Sequence, residues 1–294
     1  MANFKLGCLP PDPSKPRLAF SSIRSGLPAD VIIPSSASRM SMSGWQMLGN
    51  DRHGDCVAVS FANFVRHVTA NLSKEEYPGY EEVIRFYKTQ NPRFPAQDNG
   101  MVIQYALKEW MDHGFGGRKL VAFAEVNAKD PEEMEAAIAI FGGLILGVTV
   151  TSANNKQFAN RQPWDLASGA RDGGGHAILS GDYSGNSASN IGFITWATAT
   201  RFTDRYLQSK CFEAWVPILP EHLGSASFLA GVSRQRLSEC FKSLTGNDLA
   251  IPDDPVVVDG IEKRVERLES TNRLLTSMVQ YLSAEVGELR KRVQ

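Results

Sequence analysis

The chain carries no excess of charge of either sign. Lys and Arg number 31 against 32 Asp and Glu, for a formal net charge of −1. Without a basic excess there is no electrostatic footprint for nucleic acid, and without an acidic excess there is no solvating tail. The Arg290-Lys291-Arg292 cluster sits near the end of a helical pattern, where cations suit the helix dipole. Cysteine is scarce: Cys8, Cys56, Cys211 and Cys240 are far apart and form no CxxC pair. That excludes a disulfide framework and argues against a zinc site. Long apolar runs are missing too. The least polar stretch, Ala136 to Val150, is broken by Gly142-Gly143 and falls short of the ~20 residues of a membrane span. The opening MANFKLGCLPPDPSKP has no apolar signal core, so a chain made in a reducing cytoplasm is expected, without membrane insertion. No cofactor is expected.

What remains is ordinary globular material, 43% hydrophobic and 21% charged over 294 residues. This is enough for one large domain and an appendage. Four regions can be distinguished. Residues 1–43 are rich in Pro and Ser, and Pro10, Pro11, Pro13 and Pro16 favour extended backbone. They read as an arm lying on a surface or as a disordered tail. Residues 44–220 alternate helical and strand-like stretches. Helices are expected at 56–71 and 102–113, and after Asp130, where Pro131 and Glu133 form a start signal. Strands are expected at 144–150, 176–183, 191–197 and 212–217. Helices first and strands later indicate an α+β domain. Residues 221–256 read as a short helical linker region ending in a Pro-rich break.

Residues 257–294 are different in kind. Ile261, Val265, Leu268, Asn272, Leu275, Val279, Leu282, Val286, Leu289 and Val293 recur at alternating steps of four and three. A sustained period of ~3.5 residues predicts a parallel coiled coil that joins copies of the chain. Arg264 faces Glu269, and Glu285 faces Arg290, across such a seam. Val at the a positions and one buried Asn272 suit a dimer, whereas the Arg264–Glu269 segment resembles a trimer-specifying pattern. A trimer is favoured over a dimer.

Two segments carry candidate chemistry. In LGNDRHGDCVAVS (48–60), Cys56 opens a helix, where unpaired N–H groups favour a thiolate. In GGGHAILSGDY (173–183), His176 is a candidate base, and a cysteine beside a histidine makes a nucleophile–base pair. Asn50, six residues before Cys56, is placed to donate its amide to a developing oxyanion.

Asn50, Gly54, Cys56, Ala58 and Ser60 together resemble the active-site segment of papain-like cysteine peptidases. The later landmarks come in the family's order: Asn99-Gly100, Val126-Asn127, Gly175-His176-Ala177, Gly181-Asp182-Tyr183 and Thr195-Trp196-Ala197. The resemblance covers about residues 44–220 and implies a papain-like fold with Cys56, His176 and Asn50 as catalytic residues. It also has departures. The family's histidine-orienting Asn falls on Ile194, the amide donor is Asn50 rather than Gln, and Val57 stands where the family has Trp. Asp182 and Asn190 are alternative orienters, and His53 is an alternative base. The expectation is therefore a dyad without its third member, on a scaffold whose chemistry is weakened or lost. The segment Asn50–Cys56, the Gly174–His176 run and the Thr-Trp strand are also similar to papain-like proteins of tailed bacteriophages. That similarity implies a virion component, a capsid or tail fibre or decoration protein, contacting other virion proteins or the host surface. An active cysteine hydrolase and an intracellular coiled-coil adaptor are the other two readings.

Overall fold

The computed structural model describes residues 4–24, 33–38, 40, 42–72, 74–185, 188–224, 234–246 and 248–249. The heptad segment, and with it every proposed oligomerisation position from Ile261 to Val293, lies outside the described residues.

The N-terminal region supplies β1 (Cys8–Leu9), α1 (Phe20–Arg24) and β2 (Ala37–Ser38). Three helices follow: α2 (Cys56–Asn71), α3 (Tyr80–Tyr87) and, after the short β3 (Met101–Val102), α4 (Ile103–His113). Then come β4 (Ala122–Glu125), α5 (Pro131–Phe141), β5 (Leu144–Thr151), α6 (Asn154–Ala159) and β6 (Asp172–Tyr183). The chain continues through β7 (Ile191–Thr195), β8 (Thr198–Arg201), α7 (Asp204–Lys210) and β9 (Cys211–Ile218). Two helices, α8 (Pro220–Gly224) and α9 (Arg234–Thr245), complete the described chain. Helices dominate the first half and strands the second, as an α+β domain requires.

The main sheet runs β4-β9-β5-β6-β7-β8, with β2 added on β6, and every pairing is antiparallel. Strand alternation sends successive side chains to opposite faces. Ala177 and Leu179 of β6 therefore join Ile145, Ile194 and Trp215 in a core around α2. Ile178, between them, joins Leu146, Val148 and the α5 residues Met134, Ile138 and Phe141 in a second core. The helix α2 is buried on every side from Cys56 to Thr69, the mark of a central helix rather than an amphipathic surface one. Helix α5 begins as its sequence predicts. Asp130 accepts from the N–H groups of Glu132 and Glu133 at 3.0 and 3.2 Å, and Gly142 ends the helix in the left-handed region. Glu133 does not close a capping box on Asp130. Its carboxylate accepts from the Asn127 N–H at 3.0 Å instead.

The described residues of the N-terminal region pack against the domain. Leu18, Phe20 and Ile23 are buried in the α5-side core, and burying side chains of this size stabilises docking by about 1.5–3 kcal/mol each. Upstream of them, residues 4–9 enter the groove between α2 and the sheet.

Candidate active site

Cys56 is the first helical residue of α2, reached through a tight approach loop in which Leu48 and Gly49 have φ of 52° and 101°. β6 crosses in front of this helix end. The Ala177 N–H donates to Cys56 Sγ at 3.4 Å, so β6 meets the nucleophile at the residue that follows His176. Cys56 and His176 are fully buried, at 1% and 0% exposure.

His176 is oriented, although not by the residue that the family pattern nominates. Its Nε2 lies 2.8 Å from Thr195 Oγ1, and its Nδ1 has no hydrogen-bond partner. Ile194 points the other way, into the α2-side core opposite Leu179. The period of two along β7 explains the difference. Adjacent residues face opposite sides, so the position that fails to reach the imidazole has a neighbour that does. The alternative orienters are engaged elsewhere: Asp182 accepts from Arg201 at 2.9 Å, and Asn190 donates to Glu135 at 2.5 Å. His53 lies 3.3 Å from the Tyr80 hydroxyl and packs edge-on against Phe94, away from the dyad. Trp196 roofs the imidazole with its ring 5.0 Å away and nearly parallel. It occupies the two-residue turn between β7 and β8 with φ of 44°, and Ala197 follows at 60°. Positive φ at two non-glycine residues costs energy, and such cost concentrates at functional sites.

Asn50 is 3% exposed, and its Nδ2 donates to Asp55 Oδ1 at 3.4 Å. Asp55, immediately before the nucleophile, is fully buried and does not cap α2 with its side chain. Burial pushes its carboxyl up to about 8.

The groove above Cys56 is filled by residues 4–9 of the same chain. Phe4 stacks on Trp196 at 4.1 Å and meets Phe158 edge-on. Lys5 Nζ lies 3.6 Å from Asp98. The Gly7 carbonyl accepts from the Met101 N–H at 2.8 Å, and the Gly7 N–H faces Cys56 Sγ. Cys8 and Leu9 pair in parallel with Met101 and Val102, and the Cys8 thiol is directed at Glu213 Oε1, 3.9 Å away. Only glycine fits at position 7, because a Cβ there would lie 2.1 Å from the Gly54 carbonyl oxygen. Gly100 is under the same constraint from the other side, with its Cβ position 2.2 Å from the Gly7 oxygen.

This plug sets the electrostatics. Burial pushes the Cys56 thiol up to about 12 against the opposing N–H groups of Ala177, Gly7 and Val57. Burial likewise pushes His176 down to about 3. At neutral pH the closed site holds a thiol and a neutral imidazole rather than an ion pair. Glu213 is also buried and is pushed up to about 7. Sequence reasoning missed Thr195 as the orienter, the packing of Gly7 and Cys8, and the buried acids Asp55 and Glu213. The Thr-Trp dipeptide was the available signal for the first. No cluster of His, Cys, Asp or Glu suited to a metal occurs among the described residues.

Solved structures of similar fold include cysteine proteases. Xylellain, a cysteine protease from Xylella fastidiosa, superposes with a TM-score of 0.56 at 14% identity, over 74% of this chain and 98% of that one. The fold is papain-like. A digestive procathepsin L 3 from the larval midgut of Tenebrio molitor matches at a TM-score of 0.50 and 12% identity, over 70% of this chain and 75% of that one. No protein-family model and no curated protein matches the sequence. Identities this low carry the fold and leave the activity to the site itself.

Proposed function

We propose that the chain carries a cysteine hydrolase site held shut by its own N-terminal arm, displayed on a coiled-coil oligomer within a virion. The observation that carries the hydrolase reading is the hydroxyl of Thr195 on the buried His176. It leaves Nδ1 as the unpaired nitrogen of an imidazole whose chain neighbour, Ala177, bonds Cys56. In the reaction, His176 Nδ1 takes the Cys56 proton and the thiolate attacks an amide carbonyl carbon. The Asn50 carboxamide donates to the developing oxyanion, and His176 returns the proton to the leaving amine. The substrate class is protein or a peptidoglycan peptide. Opening of the arm rehydrates both groups, which brings their proton affinities toward each other and allows the ion pair to form.

Gly7→Leu tests this in the full chain, because the larger residue cannot pass Gly54. The expected result is fast alkylation of Cys56 at about pH 6, located by peptide mass spectrometry and slowed by His176→Ala. Labelling that rises only near the ~8.5 of a free thiol would instead leave a retired scaffold.

The display part of the reading is supported by the heptads and by the similarity to papain-like phage proteins. A trimeric mass in sedimentation, lost when Leu268 and Leu275 become Pro, is the expected result for the stalk. Recovery of the chain in purified particles is the expected result for the virion. A stalk that prefers a different chain over itself would point to an adaptor.

A further inference from the structure

Asp55 is a buried acid without a structural explanation. It is 0% exposed, makes no capping bond to α2, and leaves Oδ2 without a partner. A buried carboxyl in this state is costly, and native structures rarely keep one without a role. Its one side-chain bond is from Asn50 Nδ2, at 3.4 Å. The approach loop is shaped around it: a Cβ on Gly49 would lie 2.9 Å from Oδ2, and Gly49 has a φ of 101°. The carboxyl is thus enclosed beside both the nucleophile and the amide proposed for the oxyanion.

We infer that Asp55 is a positioning residue, whose carboxyl grips one N–H of the Asn50 carboxamide and so aims the other at the oxyanion that forms on attack by Cys56. This rests on the hydrolase reading above and adds a residue and a pH dependence to it. The side chain of asparagine is too short and mobile to hold an oxyanion donor unaided, and catalysis of this kind needs the donor fixed beforehand. The carboxyl must be neutral to serve. Ionised, it sets a negative charge against both the Cys56 thiolate and the oxyanion. Burial favours the neutral form and outweighs the Asn50 N–H, which favours the ionised one. Asp98 on the loop before β3 and Asp51 on the same loop add repulsion, Tyr87 of α3 bonds to Asp98, and Lys5 of the arm pairs with Asp98. Burial and these neighbours hold the proton up to about pH 8.

The test uses the full chain with Gly7→Leu and two reagents on Cys56. Iodoacetamide reports the thiolate and forms no oxyanion. With p-nitrophenyl acetate the thiolate sulfur bonds to the carbonyl carbon, an oxyanion forms, and p-nitrophenolate leaves as the thioester closes. Both products are read on the Cys56 peptide, and the ratio of acylation to alkylation isolates the oxyanion donor. Asp55→Ala is expected to lower that ratio by about tenfold. Asn50→Ala should do the same, and the double variant should lose nothing more. Asp55→Asn keeps the acceptor and should keep the ratio. As the pH rises and Asp55 ionises, the ratio should fall in the parent and stay level in Asp55→Asn. A parent that acylates well while Asp55→Ala matches it overturns the role of Asp55 and spares the hydrolase reading. A parent whose Cys56 acylates no faster than a cysteine in an unstructured peptide overturns both. If Asp55→Ala does not fold, the Asp55→Asn pH profile decides alone, and an alkaline fall equal to the parent's overturns the inference.

Discussion

The two sides of the groove meet at Cys56 and His176 and are built on opposite principles. On the sheet side, the imidazole is fixed from within the domain, by Thr195 on Nε2 and by Trp196 over its face. On the α2 side, the thiol is capped by Ala177 and by Gly7, and Gly7 belongs to the arm. The imidazole is therefore held by residues of the domain itself, whereas the thiol is covered by a residue of the arm. Burial has the same cause on both sides and opposite consequences, raising the thiol and lowering the imidazole.

Breaking the mask should have the largest effect. Gly7→Leu is expected to raise Cys56 alkylation by about a hundredfold, equivalent to ~2.7 kcal/mol of closed-state bias. A rate within twofold of the parent's would mean that the arm does not guard the thiol. Breaking the orienter comes next. In the Gly7→Leu background, Thr195→Val should lower acylation of Cys56 by about tenfold, because the imidazole loses its hydrogen bond with little change of shape. Ile194→Asn should not substitute for Thr195. It places an amide in the α2-side core and should cost about 2–4 kcal/mol in urea unfolding with no gain in reactivity.

Weakening the mask without removing it should have a smaller effect. Phe4→Ala removes the stack on Trp196 and should raise alkylation severalfold, in line with ~1 kcal/mol for one aromatic pair.

The pH dependence of stability sharpens the same comparison. His176 is depressed to about 3 from 6.5, so its contribution is present above about 6.5 and lost as pH falls toward 3. Cys56 is raised to about 12 from 9.0, so its contribution is present below about 9 and lost as pH rises toward 12. Denaturant titrations should therefore show His176→Gln flattening the acid limb and Cys56→Ala flattening the alkaline one.

Much of the fold was legible because its signals are local. Asp130, Pro131 and Gly142 bracket α5 by their own backbone preferences. The apolar run after Gly143 forms the buried strand it suggested. Cys56 and His176 were legible because each lies in a short segment with glycines around it. Thr195 was not, since which of two adjacent strand residues faces the imidazole depends on register with β6, and register is a property of the pair. The arm was read as extended from its prolines; the structure places a turn at residues 13–15 and α1 at Phe20–Arg24, and where the arm rests is set by contacts that local preference does not report.

By itself, then, the sequence determined the class of fold and the positions of α2, α4 and α5, and it nominated two residues for chemistry. These follow from preferences that act within a few residues. Only the tertiary structure decided that Thr195 orients His176, that Asp55 is enclosed beside Asn50, and that Gly7 covers Cys56. Each of these depends on burial and contact between segments far apart in the chain, where packing leaves room for one arrangement.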